Sequence, residues 1–247
     1  MSAVSGTAPN PQLPVVQRVR IRYAKRGRMR FTSHRDFGRA FERAVRRAQL
    51  PVAYSSGFSP HPRISYAGAS PTGASSSAEY LELALTRRCD VGQLREALDA
   101  ALPPGLDVLT VVPAVTGALA DRLEASDWQL TLPGVPLAEA QQAVAAFLRT
   151  DVIEVTRKTK KGPRSFDCRA AVVTLEAGPA ALSPEAGSEC AILRLVLRHG
   201  TPSVRPDDVL AGLGEVAGFI APVPPLSDRV AQGPLDTATG TVGDPFV

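Results

Sequence analysis

Arg18-Val19-Arg20-Ile21-Arg22-Tyr23 alternates strictly between a charged and an apolar residue. Side chains of a β-strand point to opposite faces with a period of two. The pattern therefore predicts a half-buried strand, with Val19, Ile21 and Tyr23 on the core side. Arg18, Arg20 and Arg22 fall on an open sheet face, about 7 Å apart along the strand. Like charges at that spacing repel unless an anion or screening solvent stands against them.

Just downstream the period changes. Ser33 is placed to cap a helix, with Asp36 at its third position completing a variant of the capping box. Phe37, Ala40, Phe41, Ala44, Val45 and Ala48 recur at helical spacing and predict the buried stripe. Arg35, Arg39, Arg43, Arg46 and Arg47 fall within an arc of about 120° beside it. Pro51 stops the helix, and Tyr54 to Pro62 is a loop of turn residues. Short strands are expected at Arg63–Ala67 and Ala78–Leu85. Asp90 opens a second helix through Ala101, Pro103-Pro104-Gly105 ends it, and Leu106–Val112 is β-branched. The order β-α-β-β-α-β is that of a split βαβ, or ferredoxin-like, unit.

A related pattern follows. It comprises a strand at Trp128–Leu132, a helix at Leu137–Arg149, a strand at Val152–Thr156, long strands at Phe166–Leu175 and Cys190–Leu197, and a helix from Pro206 to Val216. The fold class expected is α+β: two tandem ferredoxin-like domains, antiparallel sheets with helices on one face. The boundaries expected are a flexible tail over 1–16, a basic domain over 17–113, a connector over 114–126, a second domain over 127–222 and a flexible tail over 223–247.

Composition narrows the function classes. The chain has 247 residues and 44% hydrophobic residues, which suits a packed core. No apolar run approaches the roughly 18 residues of a membrane span, and the N-terminus has no basic start or apolar stretch of a signal peptide. Cys89, Cys168 and Cys190 are widely spaced, which argues against a disulfide framework or a thiolate metal site and for a reducing, cytoplasmic setting. The three histidines are scattered, so no metal site and no cofactor is expected. No phosphate-binding loop and no sequence-specific DNA-binding motif is present, and Gly212-x-Gly214-x-x-x-Gly218 misses the dinucleotide spacing.

Charge is unevenly distributed. Residues 18–63 hold 13 Arg or Lys against Asp36 and Glu42, a net +11 in a chain of net +4, which leaves −7 elsewhere. Such clustering points to a polyanion or an acidic partner. The residues expected to contact it are Arg18, Arg20, Arg22, Arg30, Arg35, Arg39, Arg43, Arg46, Arg47 and Arg63. Tyr54, Phe58 and His61, in the loop, would add stacking or shape; Tyr23 and Phe31 are expected in the core. Lys158, Lys160, Lys161 and Arg164 form a basic turn that suits a second phosphate contact. His34, His61 and Tyr54 are the residue types that could serve as general acid and base in RNA cleavage.

Several motifs carry a family likeness. Arg30-Phe31-Thr32-Ser33-His34-Arg35-Asp36, Arg43-Ala44-Val45-Arg46-Arg47-Ala48 and the run from Leu50 through Tyr54-Ser55-Ser56-Gly57-Phe58-Ser59-Pro60-His61-Pro62 to Ser65 resemble a radical-SAM-associated bacterial family of unknown function. Pro71-Thr72-Gly73 and Glu79-Tyr80-Leu81-Glu82 continue the likeness, and Gly162-Pro163-Arg164 with Asp167 and Arg169 extends it more loosely. It runs over about residues 17–220. The resemblance implies a chain that works beside a radical SAM protein. The three-cysteine iron–sulfur motif is absent, so S-adenosylmethionine cleavage would belong to the partner. The family supplies no catalytic residues to carry over. The function expected is an accessory protein that binds RNA, such as a transfer or ribosomal RNA, and presents it to a radical SAM enzyme. The alternatives are a metal-independent ribonuclease and a protein-only adaptor.

Overall fold

A computed structural model describes residues 13–115, 117–159, 162–180 and 190–247. The chain is a mixed α and β protein, with four helices and a mostly antiparallel sheet among these residues. It divides into two compact units. One comprises Met1–Gly73, Ser77–Asp121 and Phe246; the other comprises Ala74–Ser76, Arg122–Pro245 and Val247.

In the first unit the order is β1 (Gln17–Lys25), α1 (His34–Arg47), β2 (Ile64–Ala67), β3 (Ser75–Leu85), α2 (Val91–Ala101) and β4 (Leu106–Pro113). The strands run β4-β1-β3, with β2 on β3. β1 and β4 pair antiparallel from Val19↔Pro113 to Lys25↔Leu106, with an irregularity between Arg22 and Tyr23. Alternation along β1 puts Val19, Ile21 and Tyr23 in one core with Phe37, Phe41, Ala44 and Val45 of α1 and Leu94 and Leu98 of α2. Tyr23 stacks on Phe37 at 4.4 Å between centroids. Burying a ring such as that of Phe41 contributes about 2–3 kcal/mol. Ser33 Oγ accepts from the Asp36 N–H and so caps α1, which typically contributes about 1 kcal/mol. Gly105 must be glycine: its φ is +89°, and a Cβ there would stand 2.8 Å from the Arg26 carbonyl oxygen.

The second unit contains β5 (Ala125–Pro133), α3 (Leu137–Arg149), the hairpin β6 (Glu154–Thr159) and β7 (Gly162–Asp167), β8 (Val172–Pro179), β9 (Cys190–Arg198), α4 (Pro206–Ala217) and β10 (Leu226–Gly233). A short ribbon of β11 (Leu235–Asp236) and β12 (Thr241–Val242) follows. The main strand order is β10-β5-β9-β8, and Ser75 and Ser76 pair in parallel with Asp228 and Arg229. Trp128, Leu130, Leu132, Phe147, Leu193, Leu195, Val209 and Leu213 build the core. Gly212 is a packing glycine, since a Cβ would meet Cys168 Sγ at 2.8 Å and the Phe147 ring at 2.9 Å.

Three expectations change. Within residues 223–247, expected as a tail, 226–233 form β10, paired with β5 from Leu226↔Thr131 to Gly233↔Ala125. The signal was weak because β10 buries polar side chains, Arg229 and Gln232, instead of an apolar row. The single strand expected at Phe166–Leu175 is two, β7 and β8, separated by a 3-10 turn at Arg169–Ala171. Asp167 Oδ1 accepts from both the Ile153 and Arg169 N–H groups, which turns the chain there. β5 begins at Ala125, inside the expected connector. Most of the N-terminal tail expected over 1–16 lies outside the described residues.

Candidate functional site

The arginines of β1 alternate away from the helices, as their spacing requires, but the face they reach is not open. Arg20 is 0% exposed. Its Nε meets Glu82 Oε2 at 3.4 Å, and its terminal nitrogen donates to the Val115 carbonyl at 3.1 Å and to that of Gly117. Arg18, 44% exposed, pairs with the other oxygen of Glu82 at 3.4 Å. Arg22 Nε donates to the Ser77 carbonyl at 2.8 Å. Among the expected contact residues, Arg20 is thus a buried structural donor and Arg22 a partly buried one. The local sequence does not reveal that the carbonyls of Val115 and Gly117 reach this face.

The helix arginines are placed differently. Arg35, Arg39, Arg43, Arg46 and Arg47 are all exposed on α1. Arg39 has a loose ion pair with Asp36 at 3.9 Å, and Arg47 donates to the Ala101 carbonyl at 3.1 Å. Arg35, Arg39, Arg43 and Arg47 succeed one another at i, i+4. Each such like-charge pair destabilises an isolated helix by about 0.2–0.5 kcal/mol. Arg35 also sits in the first turn, where the helix dipole disfavours a cation. The acids on the helix offset this row only in part: Asp36, which also accepts from the Ser33 hydroxyl at 2.7 Å, meets Arg39 alone at 3.9 Å, and Glu42 lies toward Tyr66. The row therefore lowers the stability of its own helix, which an anion laid along it would reverse.

His34, exposed at the start of α1, stands edge-on to Tyr66 of β2 at 5.0 Å between centroids. The Tyr66 hydroxyl has no hydrogen-bond partner among the described residues. Burial, with the Glu42 charge second, pushes its pKa well above that of an ordinary phenol. Its ring also packs on Phe37, so it reads as core with a blunt polar end. His61 is joined instead to Ser55: the Ser55 N–H donates to the His61 carbonyl at 2.9 Å, and the His61 N–H to Ser55 Oγ at 3.1 Å. Tyr54 bridges Pro62 and packs partly on the core. Four residues of chain lie between His61 and Tyr66, a span of about 17 Å if extended. Among the described residues no hydrogen bond or ring contact joins His34 to His61. The loop stapled between Ser55 and His61 holds Phe58 at its tip, 91% exposed. Arg63 is half-buried at its exit.

Phe31, expected in the core, is 59% exposed, with the Arg30 guanidinium 4.7 Å above its ring. Sequence reading missed it because one aromatic between Arg30 and Thr32 belongs to no periodic stripe.

In the second unit, Lys158 and Arg164 are exposed on the β6–β7 hairpin, where Arg157 pairs with Arg164 and Thr159 with Gly162. Lys160 and Lys161 lie outside the described residues. The hairpin is anchored by Arg157, which donates to Asp208 at 2.7 Å and to the Ser203 carbonyl. The third histidine, His199, takes Ser126 Oγ at 2.6 Å on Nε2 and the Leu123 carbonyl at 2.7 Å on Nδ1. Ser126 is buried, so the pair is a lock within the sheet and not an accessible nucleophile and base. Burial pushes the Cys168 thiol up to about 11, which makes it inert. Among the described residues no cluster of three or more His, Cys, Asp or Glu could hold a metal, and no helix is long and apolar enough to cross a membrane.

Fold and surface together define a mixed α and β protein with a cationic helix face. Residues 18–206 match the model of a family described as an uncharacterized protein conserved in bacteria (DUF2344), and the chain belongs to that family. No curated protein matches the chain.

Proposed function

We propose that this chain is a cytoplasmic RNA-binding accessory protein that presents a structured RNA, such as a transfer or ribosomal RNA, to a radical SAM enzyme. The observation that carries the RNA reading is the exposed ladder Arg35–Arg39–Arg43–Arg47 with Arg46 beside it; among the described residues only Arg47 of these five donates to a backbone carbonyl, that of Ala101. Phosphates spaced along a strand supply the anions this ladder lacks, and such contacts give affinity without sequence choice. The radical SAM partner rests on the likeness of Arg30–Asp36 and Leu50–Ser65 to the radical-SAM-associated family. Both units are read as ferredoxin-like. The orders β4-β1-β3 with β2 alongside, and β10-β5-β9-β8, support this once the β6–β7 hairpin is treated as an insertion.

A protein-only adaptor is the second reading, and Phe58 favours it. An aromatic 91% exposed, on a loop of serines and prolines without charge, suits an apolar pocket on a protein better than a phosphate backbone. A single experiment separates the readings: capture of total cellular RNA by the purified chain across a salt series. Retention that falls steeply with salt and is lost in Arg39→Glu/Arg43→Glu supports RNA binding. RNA recovered shortened at defined positions favours the ribonuclease. No retention at low salt sinks the RNA reading and leaves the adaptor.

A further inference from the structure

Phe31 ends a 3-10 turn, Gly27–Phe31, that also contains Arg28 and Arg30. Lone exposed apolar residues are ordinary on protein surfaces, but this turn is neither frayed nor indifferent to which side chain it buries. The Arg26 N–H donates to the Gly105 carbonyl at 2.8 Å, the Met29 N–H to Arg26 at 3.0 Å, and the Thr32 N–H to Met29 at 2.9 Å. The Gly73 N–H donates to the Arg30 carbonyl at 2.8 Å, fixing the turn against the loop Ser70–Gly73. Within it Met29 packs on the core while the larger, more apolar Phe31 is turned out. The Arg30 guanidinium covers one face of the ring at 4.7 Å. Two polar atoms beside the same junction, Arg30 Nε and Ser70 Oγ, are buried and have no hydrogen-bond partner among the described residues. Unpaired buried donors are uncommon and unfavourable. A held aromatic with a stacked guanidinium is an element with which proteins hold an unpaired nucleotide.

Resting on the RNA reading above, we propose that Phe31 and Arg30 form a stacking subsite for a single unpaired base. The base lies on the uncovered face of Phe31. Its phosphate lies toward the Arg30 guanidinium, and the strand continues onto Arg35 and Arg39. The site reads the absence of base pairing, not the identity of the base, because every base offers a π-face.

The test measures binding of a labelled single-stranded RNA of mixed sequence, and of its duplex, to the full chain. Phe31→Ala should weaken the single strand by about 5- to 150-fold, leave the duplex unchanged and leave the salt dependence as it was. Phe31→Trp should restore binding and show fluorescence quenching on the single strand; the one native tryptophan, Trp128, is buried. Unchanged single-strand affinity in Phe31→Ala, with binding lost in Arg39→Glu/Arg43→Glu, overturns the stacking site and leaves the helix surface standing. Equal weakening of single strand and duplex also overturns it. No binding by the wild-type chain at low salt overturns both the site and the RNA reading on which it rests.

Discussion

Arg20 on β1 and Arg39 on α1 belong to one basic segment of sequence, yet their guanidinium groups serve opposite ends. Arg20 is enclosed by Glu82 and the carbonyls of Val115 and Gly117. Arg39 faces solvent with only a 3.9 Å contact to Asp36. A strand position sees whatever the chain later lays over its face, and here Glu82 and the carbonyls of Val115 and Gly117 take the Nε and one terminal nitrogen of Arg20. A helix arc pointing away from a core has no such neighbour. A count of charges therefore overstates a binding surface wherever backbone carbonyls, which add no negative charge to the total, have already taken the cations as hydrogen-bond donors.

The sharpest way to break this distinction is Arg20→Ala. It strips two carbonyls of their donor and leaves Glu82 with Arg18 alone. Leaving a buried acceptor without its donor typically costs about 1–3 kcal/mol. Arg18→Ala, which removes a half-exposed pair from the same carboxylate, should cost less than about 1 kcal/mol. Urea unfolding of both variants checks the contrast. A loss below about 1 kcal/mol in Arg20→Ala would mean that this arginine is not a structural tie.

Arg39→Glu/Arg43→Glu is the converse. Away from buried features, each substitution should move stability by no more than about 0.5 kcal/mol. The double variant also replaces like-charge neighbours of Arg35 and Arg47 with opposite ones, which favours the helix at both ends of the row. The salt dependence of RNA binding should meanwhile lose roughly one unit of slope per phosphate contact removed. Loss of stability together with binding would place these side chains in the same class as Arg20.

Much of the first unit was legible because its signals are local and agree. The two-residue period of 18–23, the Ser33 cap and the stripe of Phe37, Phe41, Ala44 and Val45 each follow from neighbours in sequence. The illegible parts depend on distant chain. Arg20 is buried by a segment about 95 residues away, and β10 is recognisable only once Arg229 finds Ser76, 153 residues distant. Phe31 escaped because exposure of an apolar side chain leaves no periodic trace. The helix arginines were legible as a patch because an arc on a helix is fixed by 3.6 residues per turn, whatever the rest of the fold does.

The smallest effect is a pH signature of the buried arginine on β10. Arg229 Nε meets Ser76 Oγ at 3.3 Å, its terminal nitrogen donates to Gln232 Oε1 at 3.0 Å, and the guanidinium lies 5.5 Å from the Trp128 ring. His199 is held below its ordinary pKa of 6.5, chiefly by burial and further by the Arg229 charge, against an opposing hydrogen bond at the Leu123 carbonyl. The groups facing its ring are the Ser126 hydroxyl, that carbonyl and Arg229. Above about pH 7 the imidazole is neutral in both folded and unfolded chains, so its contribution is constant. As pH falls below 6.5 the unfolded chain takes up the proton first, and stability is lost down through the folded pKa and then levels off. Burial raises Asp127 and Asp208 above the ordinary carboxylate value, which gives the opposite trend nearer the carboxylate range. Comparison of urea midpoints with His199→Gln over pH 5–8 removes that background. The wild-type chain should lose stability relative to the variant as pH falls below 6.5, and Arg229→Gln should narrow the window. A difference between wild type and His199→Gln that does not change with pH would show that neither burial nor the arginine acts on this histidine.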